Sequence, residues 1–299
     1  MNRLRGVIAP VVTTFSREDG ELDVRSFAAN IRAHLAAGLH GILVNGSTGE
    51  AALLDAAERA AVVEAARAEV PAHSILLVGT GAESTRTCIQ QTRDAAARGA
   101  DAVLVVAPHY YGPAMTAPAL RKHYQTVADA SPVPVLLYNI PKYMHFSLAP
   151  ALVSELGAHG NIVGIKDSSG NQELLSAYMN VQSPDFSVLT GNAQIFQDAL
   201  AQGARGGILA VALFAPALSL AVFDGAGARP TPAATAAQVL HSKLGAKIVA
   251  DLGVAGVKAA MDRVGLTGGP VRPPLMPLEA GQRDLVNETL RSAELATAA

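Results

Sequence analysis

Residues 97–107 read ARGADAVLVVA, and this stretch shows the unit from which the chain is built. A glycine that follows an alanine-rich helical segment is typical of a left-handed helix cap. The apolar, β-branched run that comes next is typical of a buried strand. The same order of residues occurs around Gly38 and around Gly203, each time directly before another apolar run. We interpret the pattern as a repeated helix–strand unit.

Eight apolar runs recur along the chain, with alanine-rich helical patterns between most of them. They cover residues 7–13, 41–45, 75–79, 102–107, 133–139, 162–166, 187–190 and 207–212. Strands that alternate with helices form a parallel sheet, and eight such units predict a (β/α)8 TIM barrel of the α/β class. A doubly wound open sheet is the alternative, but the glycine-rich loop of its nucleotide-binding form is missing after the first run.

Two segments are predicted, a barrel over residues 1–225 and a helical extension over residues 226–299. Residues 226–232 are rich in glycine and proline and are expected to connect the two. Residues 233–261 and 278–296 have helical patterns. We expect these additional C-terminal helices to pack on the barrel.

The composition excludes several classes of protein. Half of the 299 residues are hydrophobic and 16% are charged, which excludes a disordered chain. The net charge of −2, without basic runs, argues against nucleic-acid binding. The single cysteine, Cys88, fits a reducing compartment, and no apolar run is long enough for a signal peptide or a membrane span. We therefore expect a soluble cytoplasmic protein.

Lys166 is the residue that most directly indicates chemistry, because it ends the sixth apolar run. Active-site residues of a barrel lie at the C-terminal ends of its strands. A lysine that is desolvated there favours the neutral amine, which attacks a carbonyl carbon to form a Schiff base. Position alone leaves two other interpretations open, a lysine that extends to solvent and a structural ion pair with Asp167.

Other strand ends offer polar groups. Gly46-Ser47-Thr48-Gly49-Glu50 follows the second run, and its backbone N–H groups suit a carboxylate or phosphate. Alternatively, Ser47 or Thr48 caps a helix and Glu50 completes a capping box. Tyr138 ends the fifth run, as a proton-transfer group or as a core tyrosine. Tyr110 lies in a loop, where a subunit contact and a catalytic role are both open.

Neither a metal nor a cofactor is expected. The eight histidines and the single cysteine form no metal-binding motif, and no serine-hydrolase motif is present.

With these residues in place, the chain resembles the dihydrodipicolinate synthase / N-acetylneuraminate lyase family of class I pyruvate aldolases over roughly residues 4–280. The resemblance rests on Gly46-Ser47-Thr48-Gly49-Glu50, Tyr138-Asn139-Ile140-Pro141 and Gly164-Ile165-Lys166-Asp167, in that order. It implies a barrel with extra C-terminal helices, a homotetramer built as a dimer of dimers, and pyruvate or another 2-oxo acid plus an aldehyde as substrates.

The resemblance also implies roles for individual residues. Lys166 would form the Schiff base with the keto carbon, and Tyr138 would be the general acid and base near it. Ser47 and Tyr110 would complete a proton relay, with Tyr110 reaching into the neighbouring subunit. The expected substrate-binding residues are Gly46, Thr48, Ser168, Gly191 and Ile208.

Departures from the family pattern bear on the second substrate. Dihydrodipicolinate synthases carry an arginine where this chain has Tyr143, and the neighbouring Lys142 supplies a charge but no planar fork of donors. The residues after Gly191 lack the acidic groups usual in sialic acid lyases and look more like 4-hydroxy-2-oxoglutarate aldolases. We therefore predict a Schiff-base lyase or aldolase of that kind. The alternatives are a 4-hydroxy-tetrahydrodipicolinate synthase, which condenses pyruvate with aspartate semialdehyde, and a catalytically silent 2-oxo acid-binding protein.

Overall fold

The computed structural model describes residues 4–227 and 229–295. At its centre, eight parallel strands close into a barrel in chain order. The strands are β1 (Gly6–Pro10), β2 (Gly41–Val44), β3 (Ile75–Gly79), β4 (Ala102–Val106), β5 (Val135–Asn139), β6 (Ile162–Asp167), β7 (Ser187–Thr190) and β8 (Gly206–Ile208). Each lies within or overlaps one predicted run. The TIM-barrel prediction is therefore confirmed, and the open-sheet alternative is wrong.

Helices follow the strands around the outside of the barrel. They are α1 (Val24–Ala36), α2 (Ala56–Glu69), α3 (Thr85–Ala97), α4 (Ala117–Ala130), α5 (Pro141–Met144), α6 (Pro150–Leu156), α7 (Gln172–Met179), α8 (Phe196–Ala201) and α9 (Pro216–Gly225). Because helices cover one face of the sheet and side chains fill the barrel, strand residues are buried on both faces. This explains why the strands appear in the sequence as continuous apolar runs.

In each repeated helix–strand unit, the glycine that follows the helix has the predicted left-handed backbone. The φ angles are 92° at Gly38, 90° at Gly99 and 104° at Gly203. A strand begins three residues after each of these glycines, at positions 41, 102 and 206. The eighth strand is shorter than predicted, because Ala210–Leu213 forms a 3-10 turn. A short apolar run alone does not distinguish a strand from a buried helical turn.

Three further helices follow the barrel: α10 (Pro232–Leu244), α11 (Asp251–Arg263) and α12 (Ala280–Ser292). A π-helical segment, Gly245–Ala250, joins α10 to α11. The hydrophobic core continues from the barrel into these helices through Ile248, Val257 and Leu290. The predicted division after residue 225 coincides with the end of α9 and stays a prediction. The outer limits of the two predicted segments lie outside the described residues, which omit residues 1–3, Ala228 and residues 296–299.

None of the helices within residues 4–227 and 229–295 combines the length and the apolar composition needed to cross a membrane.

Buried histidines give the fold a testable dependence on pH. His34, His123 and His241 are nearly inaccessible to solvent, and burial lowers the pKa of each to about 4. In the unfolded chain their pKa is about 6.5. Between these two values the unfolded state binds more protons, so stability falls as the pH falls below about 6.5. At pH 5.5 we expect a loss of about 1 kcal/mol for each histidine, measured by urea unfolding against pH 7.5.

The variant His34→Gln should reduce this pH dependence by about a third, since it removes one of three similar groups. The matched control is His73→Gln, at an exposed histidine, which should leave the dependence as it is. Equal unfolding midpoints at pH 7.5 and pH 5.5 in the unaltered chain would contradict the assignment of these histidines as neutral in the fold.

Candidate active site

Lys166 lies near the C-terminal end of β6, opposite Tyr138 of β5 in the strand register. Only 5% of Lys166 is exposed, and its Nζ atom is 4.3 Å from the centre of the Tyr138 ring. Within the part of the chain that the structure describes, no carboxylate forms an ion pair with this lysine. The structure thus supports neither a solvent-extended lysine nor a pair with Asp167.

Asp167 instead braces the ends of β5 and β6. Its Oδ1 atom accepts a hydrogen bond of 2.7 Å from the Asn139 side chain, and its Oδ2 atom accepts one of 2.7 Å from the Ser169 hydroxyl. Burial raises the pKa of Asp167, and these hydrogen bonds act in the opposite direction. Because neighbouring residues on a strand face opposite sides of the sheet, Asp167 fixes the strand while Lys166 points the other way.

Seven of the predicted site residues line one cavity of about 290 Å³. They are Lys166, Tyr138, Ser47, Thr48, Ser168, Gly191 and Ile208. Gly46 lines the adjoining cavity, which shares Tyr138 and Ser47 with the first. Residues from five strand ends or their following loops therefore meet at one mouth of the barrel, as expected for a fold in which the C-terminal strand ends converge.

Gly191 is in direct contact with two of these residues. A Cβ atom on Gly191 would lie 1.9 Å from the Ser168 hydroxyl oxygen and 2.8 Å from Cε of Lys166. Its backbone N–H donates to the Asp167 carbonyl at 2.6 Å. Only glycine fits at this distance, so the backbone itself forms the wall beside the lysine.

The loop at residues 46–49, which we call the carboxylate loop, presents unpaired donors. Within the described residues, the N–H groups and the hydroxyls of Ser47 and Thr48 have no hydrogen-bond partner. The Gly49 carbonyl is held by the Thr13 hydroxyl at 2.6 Å. A cluster of free N–H and O–H donors beside a buried lysine suits a carboxylate.

The capping alternative for this loop is not observed. Ala51–Leu53 forms a short 3-10 turn without a side-chain cap, and the capping box of α2 uses Asp55 and Glu58 instead. The Glu50 carboxylate turns away from the loop backbone and forms an ion pair with Lys258.

Tyr110 is not brought to Lys166 within one chain. Its side chain is 78% exposed and stacks edge-on against Tyr111, with ring centres 5.0 Å apart. The Glu83 carboxylate holds this loop by accepting hydrogen bonds from the N–H groups of His109 and Tyr110. Tyr110 is absent from the lining of both cavities at the barrel mouth.

Two contacts of the site were not predicted from the sequence. Lys258 of α11 and the N–H of Arg272 both bind the Glu50 carboxylate, the latter at 2.8 Å. The sequence did mark Lys258 as unusual, because it interrupts an otherwise apolar helical pattern. Its partner Glu50 could not be identified, since it lies more than 200 positions earlier in the chain. Within the described ranges, no three His, Cys, Asp or Glu side chains gather in a metal-binding arrangement.

Comparisons with known proteins agree with this geometry. The model of the Dihydrodipicolinate synthetase family matches residues 3–293. A 4-hydroxy-tetrahydrodipicolinate synthase from Methanoculleus marisnigri is 33% identical, over 95% of this chain and 98% of that protein.

Solved structures show the same similarity. A chloride-inhibited dihydrodipicolinate synthase from Acinetobacter baumannii, solved with pyruvate, superposes with a TM-score of 0.92 at 30% identity, over 97% of this chain and 99% of the other. YagE, a prophage protein of the same family from E. coli K12, also solved with pyruvate, gives a TM-score of 0.90 at 30% identity, over 98% and 99%. The chain belongs to the dihydrodipicolinate synthetase family and is a lyase of the class I aldolase type, as the sequence predicted.

Proposed function

We propose that Lys166 forms a Schiff base with the keto carbon of pyruvate or a closely related 2-oxo acid. The observation that carries this proposal is a buried lysine that, within the described residues, has no ion-pair partner and lies next to the Tyr138 ring and to a loop whose donors are unpaired. The amine adds to the carbonyl carbon and water leaves. The resulting protonated imine withdraws electrons from the neighbouring carbon, which loses a proton to give an enamine, and the enamine carbon can then attack an aldehyde. In the opposite direction, the bond between that carbon and the former aldehyde carbon breaks, the aldehyde leaves and the electron pair stays in the enamine.

The other lining residues have roles that fit this chemistry. Ser47, Thr48 and the backbone at Gly46 would bind the carboxylate of the 2-oxo acid. Tyr138 would move a proton at the keto oxygen and then at the aldehyde oxygen. The remaining contacts to the substrate would come from Ser168, Gly191 and Ile208.

Of the two enzymatic predictions, condensation of pyruvate with aspartate semialdehyde now has the better support. The curated relatives that span nearly the whole chain are named 4-hydroxy-tetrahydrodipicolinate synthase. Cleavage or formation of a 4-hydroxy-2-oxo acid is the second candidate. It is favoured by one observation, the presence of Tyr143 where synthases of this family carry an arginine.

In both reactions the aldehyde carries a carboxylate, and the basic residues of the cavity suit such a group. Among the described residues that line it, Lys142 and Lys166 are basic and none is acidic. The Lys142 ammonium donates to the Ala250 carbonyl at 3.1 Å, which holds it at the rim. A carboxylate on the aldehyde could therefore be bound by Lys142 in place of the missing arginine.

The Schiff base is tested by incubation with pyruvate and borohydride, followed by intact-mass measurement and peptide mapping. One reduced pyruvate adduct is expected on Lys166. Lys166→Ala should abolish both the adduct and turnover, because no other buried lysine is found among the described residues that line the cavity. Lys122→Ala, at an exposed lysine of α4, should keep both. Pyruvate binding without an adduct in the unaltered chain would instead support a silent 2-oxo acid-binding protein.

The second substrate is tested with Lys142→Gln, which removes the charge and keeps the side chain polar. We expect KM for aspartate semialdehyde to rise about tenfold or more, since a charged hydrogen bond is lost, with little change in KM for pyruvate. Rates of condensation and of 4-hydroxy-2-oxoglutarate cleavage, measured in parallel, decide between the two reactions. An unchanged KM for both aspartate semialdehyde and 4-hydroxy-2-oxoglutarate would show that Lys142 does not bind their carboxylates.

We also propose that the chain acts in the cytoplasm as a homotetramer in which Tyr110 enters the site of a neighbouring subunit. The support is the exposure of Tyr110, its absence from the cavity of its own chain, and the need for a second proton-transfer group beside Tyr138.

Subunit mixing tests the position of Tyr110. Tyr110→Phe and Lys166→Ala should each be nearly inactive alone. When the two variants are unfolded, mixed and refolded together, some sites would combine an intact lysine with an intact tyrosine from the neighbour, and activity should return. Mixtures that stay inactive, while light scattering shows an oligomer, would contradict a shared site.

A further inference from the structure

We propose that Glu50 and Lys258 are positioning residues that hold the carboxylate loop in its binding geometry. Through this buried pair, helix α11 of the C-terminal segment would determine how well the barrel binds the carboxylate of its 2-oxo acid. The identity of that ligand rests on the proposed function, whereas the contacts around the loop are present whatever the ligand is.

The carboxylate loop is flanked by two residues with a left-handed backbone, of which only asparagine tolerates that conformation readily. Asn45 has a φ angle of 53° and Glu50 one of 56°. A left-handed conformation is sterically unfavourable for an L-residue, and a glutamate, unlike an asparagine or aspartate, has no short polar side chain that compensates locally. Such a conformation persists only where surrounding contacts enforce it.

The contacts that enforce the Glu50 conformation come from the C-terminal part of the chain. Its carboxylate pairs with the Lys258 ammonium, and the two side chains are 0% and 2% exposed. The Arg272 N–H donates to the other carboxylate oxygen at 2.8 Å. The C-terminal end of the loop is thus anchored to residues more than 200 positions later in the sequence.

Lys258 is itself fixed by more than this one partner. Its ammonium donates to the Pro270 carbonyl at 2.7 Å and lies 4.6 Å from the centre of the Phe15 ring. Burial lowers the pKa of Lys258, and the Glu50 carboxylate opposes that shift. The ammonium therefore has a set position from which it can hold Glu50.

Stability alone does not account for this pair. Taking both charges out of water costs about as much as their attraction returns, so a well-packed apolar pair of similar size is often equally stable. The more economical explanation is geometric, because a charged pair with additional hydrogen bonds defines one position for the Glu50 backbone. That backbone leads directly into the loop that carries Ser47 and Thr48.

Helix α11 also lines the cavity. Gly253, Val254 and Val257 face it, and Val257 is the immediate neighbour of Lys258. The same helix therefore lines the cavity and, through Lys258, anchors the residue that follows the carboxylate loop. A displacement of α11 would move both together.

The test separates positioning from stability by comparing single and double substitutions. Glu50→Gln and Lys258→Met each leave one buried charge without its partner and should lower the melting temperature markedly. The double variant removes both charges and should recover much of that loss. If the pair positions the loop, the double variant should still bind pyruvate about tenfold or more weakly, because the loop is no longer fixed.

Affinity is best measured by calorimetry with pyruvate in the Lys166→Ala background, where no imine forms. The matched control is Arg32→Met with Glu69→Gln, which removes a more exposed pair between α1 and α2 and should change neither affinity nor the adduct. With Lys166 present, the double variant should still give the borohydride adduct at saturating pyruvate, with KM raised more than kcat is lowered.

Glu50→Asp provides a second variant in case the double one does not fold. It keeps the charge but shortens the side chain by one methylene, and it should also weaken pyruvate binding. Wild-type affinity in the double variant, or in Glu50→Asp, would overturn the positioning role. A different pair of results would count against the proposed function instead. These are no pyruvate binding in the chain altered only at Lys166 and no adduct in the unaltered chain.

Discussion

The register between β5 and β6 is the constraint on which the site depends. It places Tyr138 directly beside Lys166, and the closed barrel then brings the ends of the other strands to the same mouth. Asp167 maintains this register from the outer side of the sheet through Asn139 and Ser169. Within the described residues Lys166 has no carboxylate partner, so its position is set by the strand that carries it and by its contacts with the Tyr138 ring and the Gly191 backbone.

Much of the fold could be predicted because its signals are local. Apolar runs mark strands buried on both faces, and a glycine such as Gly99 adopts the left-handed backbone that ends a helix. Site residues at strand ends, such as Lys166 and Gly191, were predictable for the same reason, since the fold determines where a strand end lies. The length of β8 could not be predicted, because an apolar run such as residues 207–212 is compatible with either a strand or a 3-10 turn.

Contacts between distant segments could not be predicted from local pattern. Glu50 was open to interpretation as part of a capping box, since spacing alone fits one, whereas its actual partners Lys258 and Arg272 come from the C-terminal segment. Tyr110 is a second residue whose contacts the local pattern does not determine. Its loop is held by Glu83 at the surface, and a subunit contact there was implied by the family resemblance rather than by the local residue pattern.

The two halves of the site therefore differ in how they are built. The half that would form the imine consists of residues on strand ends, backed by the Asp167 hydrogen bonds and by a glycine that admits no side chain. The half that would receive the aldehyde consists of Lys142 on a four-residue helix and of the π-helical segment whose carbonyl it binds. Rigid strands preserve the shared chemistry of a family, while short helices and loops can change without disturbing the barrel. The replacement of an arginine by Tyr143 falls in this second half, which is where a difference in the aldehyde would be expected.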